Sequence, residues 1–108
     1  MKNDLNSLIH RAEEKFDFNE EKYPELVGAS DEVTYRFAIR HASMHFAKTA
    51  GKIIAHSEDI DHGGLGDTEE LKTNVAKSLL NTLRLAGLLN MNEQDLVNRI
   101  NQRLGDSV

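Results

Sequence analysis

Apolar residues return at three- and four-residue intervals along most of this chain, and nowhere at the strict two-residue alternation of a half-buried strand, so the pattern predicts an all-α protein. In "NDLNSLIHRAEEKF", Leu5, Leu8, Ile9, Ala12 and Phe16 fall on one stripe and predict a first helix over about residues 4–15. "DFNEEKYPELVGAS" follows, with the chain's one proline, Pro24, and with Gly28. Neither suits a helix interior, so the segment reads as a connector with room for one short turn.

Ser30 ahead of Asp31 and Glu32 is a helix start: a hydroxyl that accepts a backbone N–H, then two carboxylates at the positive end of the dipole. The periodicity predicts a second helix over residues 31–57, a rod of about 40 Å at ~1.5 Å per residue. Its core face is Tyr35, Ala38, Ile39, Ala42, Phe46, Thr49 and Ile53, and the glycines of "DHGGLGD" close it. A third helix, about residues 67–89, carries Leu71, Val75, Leu79, Leu83 and Ala86, with Ala76, Leu80 and Leu85 beside them. A surface that wide predicts contact with more than one neighbour. Asn92 caps a fourth helix over residues 93–104, with Leu96, Val97, Ile100 and Leu104 as its inner face. The chain therefore reads as one all-helical domain over residues 1–108.

Composition narrows the function classes. Thirteen basic against eighteen acidic residues leave a net charge of −5, which argues against the basic face that nucleic-acid binding needs. The absence of cysteine removes disulfides, thiolate zinc sites and cysteine nucleophiles together. No apolar run approaches the roughly 20 residues of a membrane span, and residues 1–16 are too charged for a signal peptide, so a cytoplasmic location is expected.

Candidate chemistry sits on the second and third helices. At 100° per residue His41, His45, Lys48 and Lys52 share a stripe beside the apolar face of the second helix. Such a boundary stripe is ordinary for amphipathic side chains with packed stems and solvated heads. It is also a row of donors suited to phosphate or another anion. The third helix has a comparable edge in Glu70, Asn74, Lys77, Asn81 and Arg84, so two facing edges would gather cations and amides into one groove. A metal reading stands as the alternative: His41 and His45 have the i, i+4 spacing of a shared ligand pair, and Glu58, Asp59, Asp61 and His62 are further donors. Against it, Lys48 and Lys52 on the same stripe repel a divalent cation, and no cofactor is otherwise called for. There is no glycine-rich phosphate loop and no Ser-His-Asp set, so nucleophilic hydrolysis has no support in the sequence.

The pattern over about residues 33–104 resembles the all-α nucleotide pyrophosphohydrolases of the MazG-like type. "KTAGKI", Lys48 to Ile53, stands where that family has E-E-V-G-E-L, and "NVAKSLLNTLRLAGLLNMN", Asn74 to Asn92, resembles its E-x-x-D helix and leucine-rich tail. The resemblance implies a four-helix bundle completed by oligomerisation. It also implies that the acidic Mg²⁺ ligands are replaced, since Lys48, Thr49, Lys52, Asn74 and Lys77 stand in their places. Ammonium groups there exclude a hard cation, and a lysine can neutralise a phosphate directly. The expectation is a protein that binds a nucleotide or other phosphate-bearing anion through His41, His45, Lys48, Lys52, Asn74, Lys77, Asn81 and Arg84 without cleaving it. An enzyme that uses His41, His45, His56 and His62, with Glu58 or Asp61, as a metal or acid–base site, such as a metal-dependent hydrolase, and a helical interaction module with no small-molecule site, are the competing readings. A third helix apolar on two sides further predicts a homodimer or larger homo-oligomer.

Overall fold

The computed structural model describes residues 4–105, and among them every regular element is helical. The chain forms α1 (Leu5–Lys15), one 3-10 turn (Pro24–Leu26), α2 (Asp31–Asp61), α3 (Thr68–Leu88) and α4 (Glu93–Leu104), a four-helix arrangement without strands. α3 is the central element: it packs on α2 along one side and on α1 along another. That double contact is what the width of its apolar surface requires.

Each helix begins on a side chain that replaces missing backbone partners. Asp4, Ser30, Asp67 and Asn92 accept from the backbone N–H groups of Ser7, Val33, Glu70 and Asp95, respectively, and Asn92 and Asp95 complete a reciprocal capping box. The ends of α2 and α3 are both set by a residue with positive φ. Gly63 (φ 88°) lets Gly64 N–H donate to the Asp59 carbonyl at 2.8 Å and Gly63 N–H to that of Ile60 at 3.1 Å. Asn90 (φ 56°) does the same for α3, with Met91 N–H on Ala86 at 2.8 Å and Asn90 N–H on Gly87 at 3.2 Å. Because the stop is Gly63, α2 runs a full turn past the expected boundary at Ser57. Glu58, Asp59 and Asp61 are therefore helical residues, and His62 is the cap.

The compact core is small. Ile9 of α1 meets Leu83 and Ala86 of α3, with Leu5, Leu8, Met91 and Leu96 packed around them. Along the α2–α3 seam the contact is made by small or polar residues: Ala38, Ala42 and Thr49 are buried on α2, and Asn74 and Asn81 on α3. Asn81 Nδ2 donates to Thr49 Oγ1 at 2.9 Å and to the His45 carbonyl at 3.3 Å, while the Thr49 hydroxyl itself donates to that carbonyl at 3.1 Å. This polar clamp fixes the register of α3 against α2, because a slip of one residue would leave buried donors unpaired.

Several expected core positions are not covered. Tyr35 and Phe46 of the predicted α2 face are 46% and 40% exposed, and Val75 and Leu79 of the α3 stripe are 56% and 49% exposed. On α4 only Leu96 reaches the core; Val97, Ile100 and Leu104 lie open. The physical reason is geometric: α2 packs extensively against α3, and α4 leaves the core after being tied to α1 at its first residue, where Glu93 N–H donates to Asn6 Oδ1 at 2.7 Å. No described helix is long and apolar enough to cross a membrane.

Candidate functional site

The antiparallel pairing of α2 and α3 brings His45, Lys48 and Lys52 of one helix opposite Lys77, Asn81 and Arg84 of the other, around a cavity of about 290 Å³. These six of the eight expected ligand residues share the cleft. No carboxylate is among the residues lining it. Its other walls are Thr49, Leu80, Phe16 from the end of α1 and Tyr23 from the connector.

Arg84 is the most unusual group in the cleft. It is 7% exposed, its Nε is buried with no hydrogen-bond partner, and no ion pair among the described residues includes it. Its guanidinium instead lies over the rings of Phe16 and Phe18, 4.7 and 5.0 Å from their centroids. Cation–π contacts offset part of the desolvation cost of a buried charge, but they supply no hydrogen-bond acceptor. Arg84 and Phe16 also line a second cavity of about 290 Å³, whose walls combine Phe18, Tyr35 and Ala38 with the acidic residues Glu13, Asp17 and Asp31.

His41 stands behind the cleft. Its ring stacks on Phe37 at 5.7 Å and meets Phe18 and Tyr23 edge-on, at 5.7 and 5.1 Å. The Nε2 atoms of His41 and His45 are 3.1 Å apart, so one ring holds the proton that the other accepts, and Tyr23 Oη lies 3.4 Å from His41 Nε2. Burial holds the pKa of His41 below the usual imidazole value, and the charges of His45 and Arg84 push it the same way. For His45 burial again comes first, followed by the positive charges of Arg84 and Lys48. The pair is therefore neutral at pH 7 in the free protein.

The connector that carries Phe18 and Tyr23 is pinned from its own side chains. Lys22 Nζ donates to Asp17 Oδ1 at 2.6 Å and to the Lys15 carbonyl at 3.1 Å, and Asn19 Oδ1 accepts from Lys22 N–H at 2.9 Å. The Lys22 hydrogen bond, with that of Asn19, holds the Asp17 carboxyl below its ordinary range. Phe16, Phe18, Tyr23 and Phe37 are four of the chain's six aromatic residues, and three of them fall within eight residues of sequence. That concentration is the available signal for the aromatic wall; helical periodicity, which locates the cationic stripe, is silent about a connector.

Two expected ligand residues lie elsewhere. Asn74 is buried but faces a neighbouring cavity of about 410 Å³, which it shares with Lys52, His56, Asp59 and Glu70, and His41 does not line the cleft. The alternative metal set does not assemble. Because α2 is one continuous helix, Glu58, Asp61 and His62 lie about 25 Å or more along its axis from His41 at ~1.5 Å per residue. Among the described residues no three His, Asp or Glu side chains converge as metal ligands. No family model, curated protein or solved structure matches this chain.

Proposed function

We propose that this chain is a MazG-like helical protein that binds a phosphate-bearing anion, a nucleotide among the candidates, in the cleft between α2 and α3, and that it does not perform metal-dependent pyrophosphate hydrolysis. The observation that carries the reading is Arg84: a buried guanidinium with an unpartnered Nε, beside a cavity also lined by Lys48, Lys52 and Lys77. Arginine presents a planar fork of donors that matches phosphate, and in a partly dehydrated cleft such charge-assisted hydrogen bonds are stronger than in water. With both histidines neutral and no carboxylate in its walls, the cleft is lined by four cationic side chains, although the chain as a whole is at −5. A divalent cation has no oxygen anion there to bind, whereas a phosphate oxyanion has four cationic partners. Self-association as a homodimer or larger assembly belongs to the same reading.

Calorimetric titration with inorganic phosphate, ADP and ATP, each with and without Mg²⁺, tests it. Binding is expected without Mg²⁺, weakened roughly tenfold or more by the double substitution Lys48→Ala/Lys52→Ala, which removes two cationic partners. ATP incubated with the protein and Mg²⁺ is expected to remain intact by chromatography. Absence of heat at millimolar ligand, or rapid release of pyrophosphate, overturns the proposal.

A further inference from the structure

The cavity of about 410 Å³ that adjoins the cationic cleft carries the opposite charge, and Lys52 stands in the wall of both. Three carboxylates line it, Asp59 of α2, Asp67 at the cap of α3 and Glu70 of α3, together with His56 and Asn74. Among the described residues none of the three makes an ion pair, and neither does Lys52.

The turn between the two helices builds one wall of this cavity. Asp59 Oδ2 accepts from Gly66 N–H at 3.1 Å, and a Cβ at Gly64 would stand 2.5 Å from both carboxylate oxygens, so a larger residue would push Asp59 from its seat. A Cβ at Gly66, which has φ 68°, would meet the His56 ring at 2.9 Å. Asp67 is held in turn by accepting Glu70 N–H at 3.1 Å. Each aspartate keeps lone pairs for a further donor. At the base lies Asn74, which is 4% exposed and whose side-chain amide makes no hydrogen bond among the described residues. An amide buried to that degree without a protein partner presents a donor and an acceptor to whatever fills the space.

The charges are also ordered along the seam. Seven residues separate Lys52 from Asp59 on α2, and seven separate Glu70 from Lys77 on α3. Seven residues are two turns, so each pair shares a face with its charges about 10 Å apart along the axis. Because the helices run antiparallel, both carboxylates lie toward the turn and both lysines toward the cleft. Ala55 and Leu71 in one cavity and Leu80 in the other supply apolar wall between the two ends.

We propose that the acidic cavity seats an ammonium group of the ligand whose phosphate occupies the cationic cleft, which makes the ligand class a phosphate ester with a primary amine about 10 Å from the phosphate. The inference rests on the phosphate-binding reading above. A primary ammonium has three donors and no acceptor, which suits Asp59, Glu70 and the Asn74 amide oxygen. A metal ion is the poorer occupant, since no three His, Asp or Glu side chains among the described residues converge as ligands.

Calorimetric titration with hexyl phosphate and aminohexyl phosphate, identical but for the terminal amine, tests the assignment. The amine is expected to tighten binding about tenfold, because its contact forms within an already tethered complex. Glu70→Gln, at an exposed position outside the cationic cleft, is expected to lower that ratio to about threefold or less and to leave hexyl phosphate binding and helical circular dichroism unchanged. Lys48→Ala, which removes a cation from the phosphate end alone, is expected to weaken both ligands alike. Equal affinity for the two phosphates, or an amine advantage that persists undiminished in Glu70→Gln, overturns this inference and leaves phosphate binding standing. Absence of binding by either ligand removes both readings.

Discussion

In the proposed reading Arg84 serves a ligand and not the fold. Its Nε is buried without a hydrogen-bond partner and its guanidinium lies over two aromatic faces, while Glu13, Asp17 and Asp31, which share the adjoining cavity, make no ion pair with it. Replacing such a group by an apolar side chain of similar length commonly leaves stability unchanged or raises it. Arg84→Met is therefore expected to keep or increase the thermal midpoint while abolishing phosphate binding; a large loss of stability would mean that Arg84 is structural. The neighbouring histidines give a pH dependence. The unfolded chain takes up protons near pH ~6.5, but folded His41 and His45 resist them, so stability is full above that pH and falls as the pH drops through the folded values. A bound anion cancels part of the field of Arg84 and Lys48 at His45, so binding draws a proton to that ring. Sulfate, whose own charge is constant over this range, is expected to bind more tightly at pH 6 than at pH 8, with proton uptake seen by calorimetry in two buffers. At this scale the cationic residues are legible in the sequence, because 100° spacing alone aligns them. The burial of Arg84 is not, since it depends on Phe16 and Phe18 folding over α3.

At the scale of the element, caps and stops decide lengths. Ser30 and Asn92 announce their helices directly, because a cap bonds to a backbone N–H three residues away. The end of α2 is harder to locate, since the apolar stripe thins out before the chain stops being helical. What stops it is Gly63, whose φ of 88° places a carbonyl-bonding turn after Asp61. Open space surrounds the position of a Cβ at Gly63, so Gly63→Ala isolates the backbone effect. A loss of about 1 kcal/mol is expected for an L side chain held at that angle, measured by urea denaturation. No loss would indicate that the Schellman turn at this end is dispensable.

For the whole molecule, the balance of covered and open surface governs behaviour. α1, α3 and the start of α4 share one small core, while α2 has α3 on one side and the aromatic connector on another. The remaining face of α2 is open and mixes exposed apolar side chains, Val33, Met44, Phe46 and Ile54, with Arg36 and Arg40. If a second copy covers it, as the proposed self-association requires, folding and association are linked, and the thermal midpoint rises with protein concentration.

Local rules are enough to specify the helices, their starts and the alignment of the cationic stripe, because helical period and capping act over three or four residues. They cannot specify which flank of each stripe is covered, because a broad apolar face is compatible with one neighbour or with two. Nor can they separate Asn81, which clamps Thr49 in the cleft, from Asn74 one cavity away, or place Phe18 and Tyr23 over His41 and Arg84. Those assignments depend on the antiparallel docking of α2 on α3 and on the path of a connector. Both join residues distant in sequence, and only tertiary contact supplies the energy that selects them.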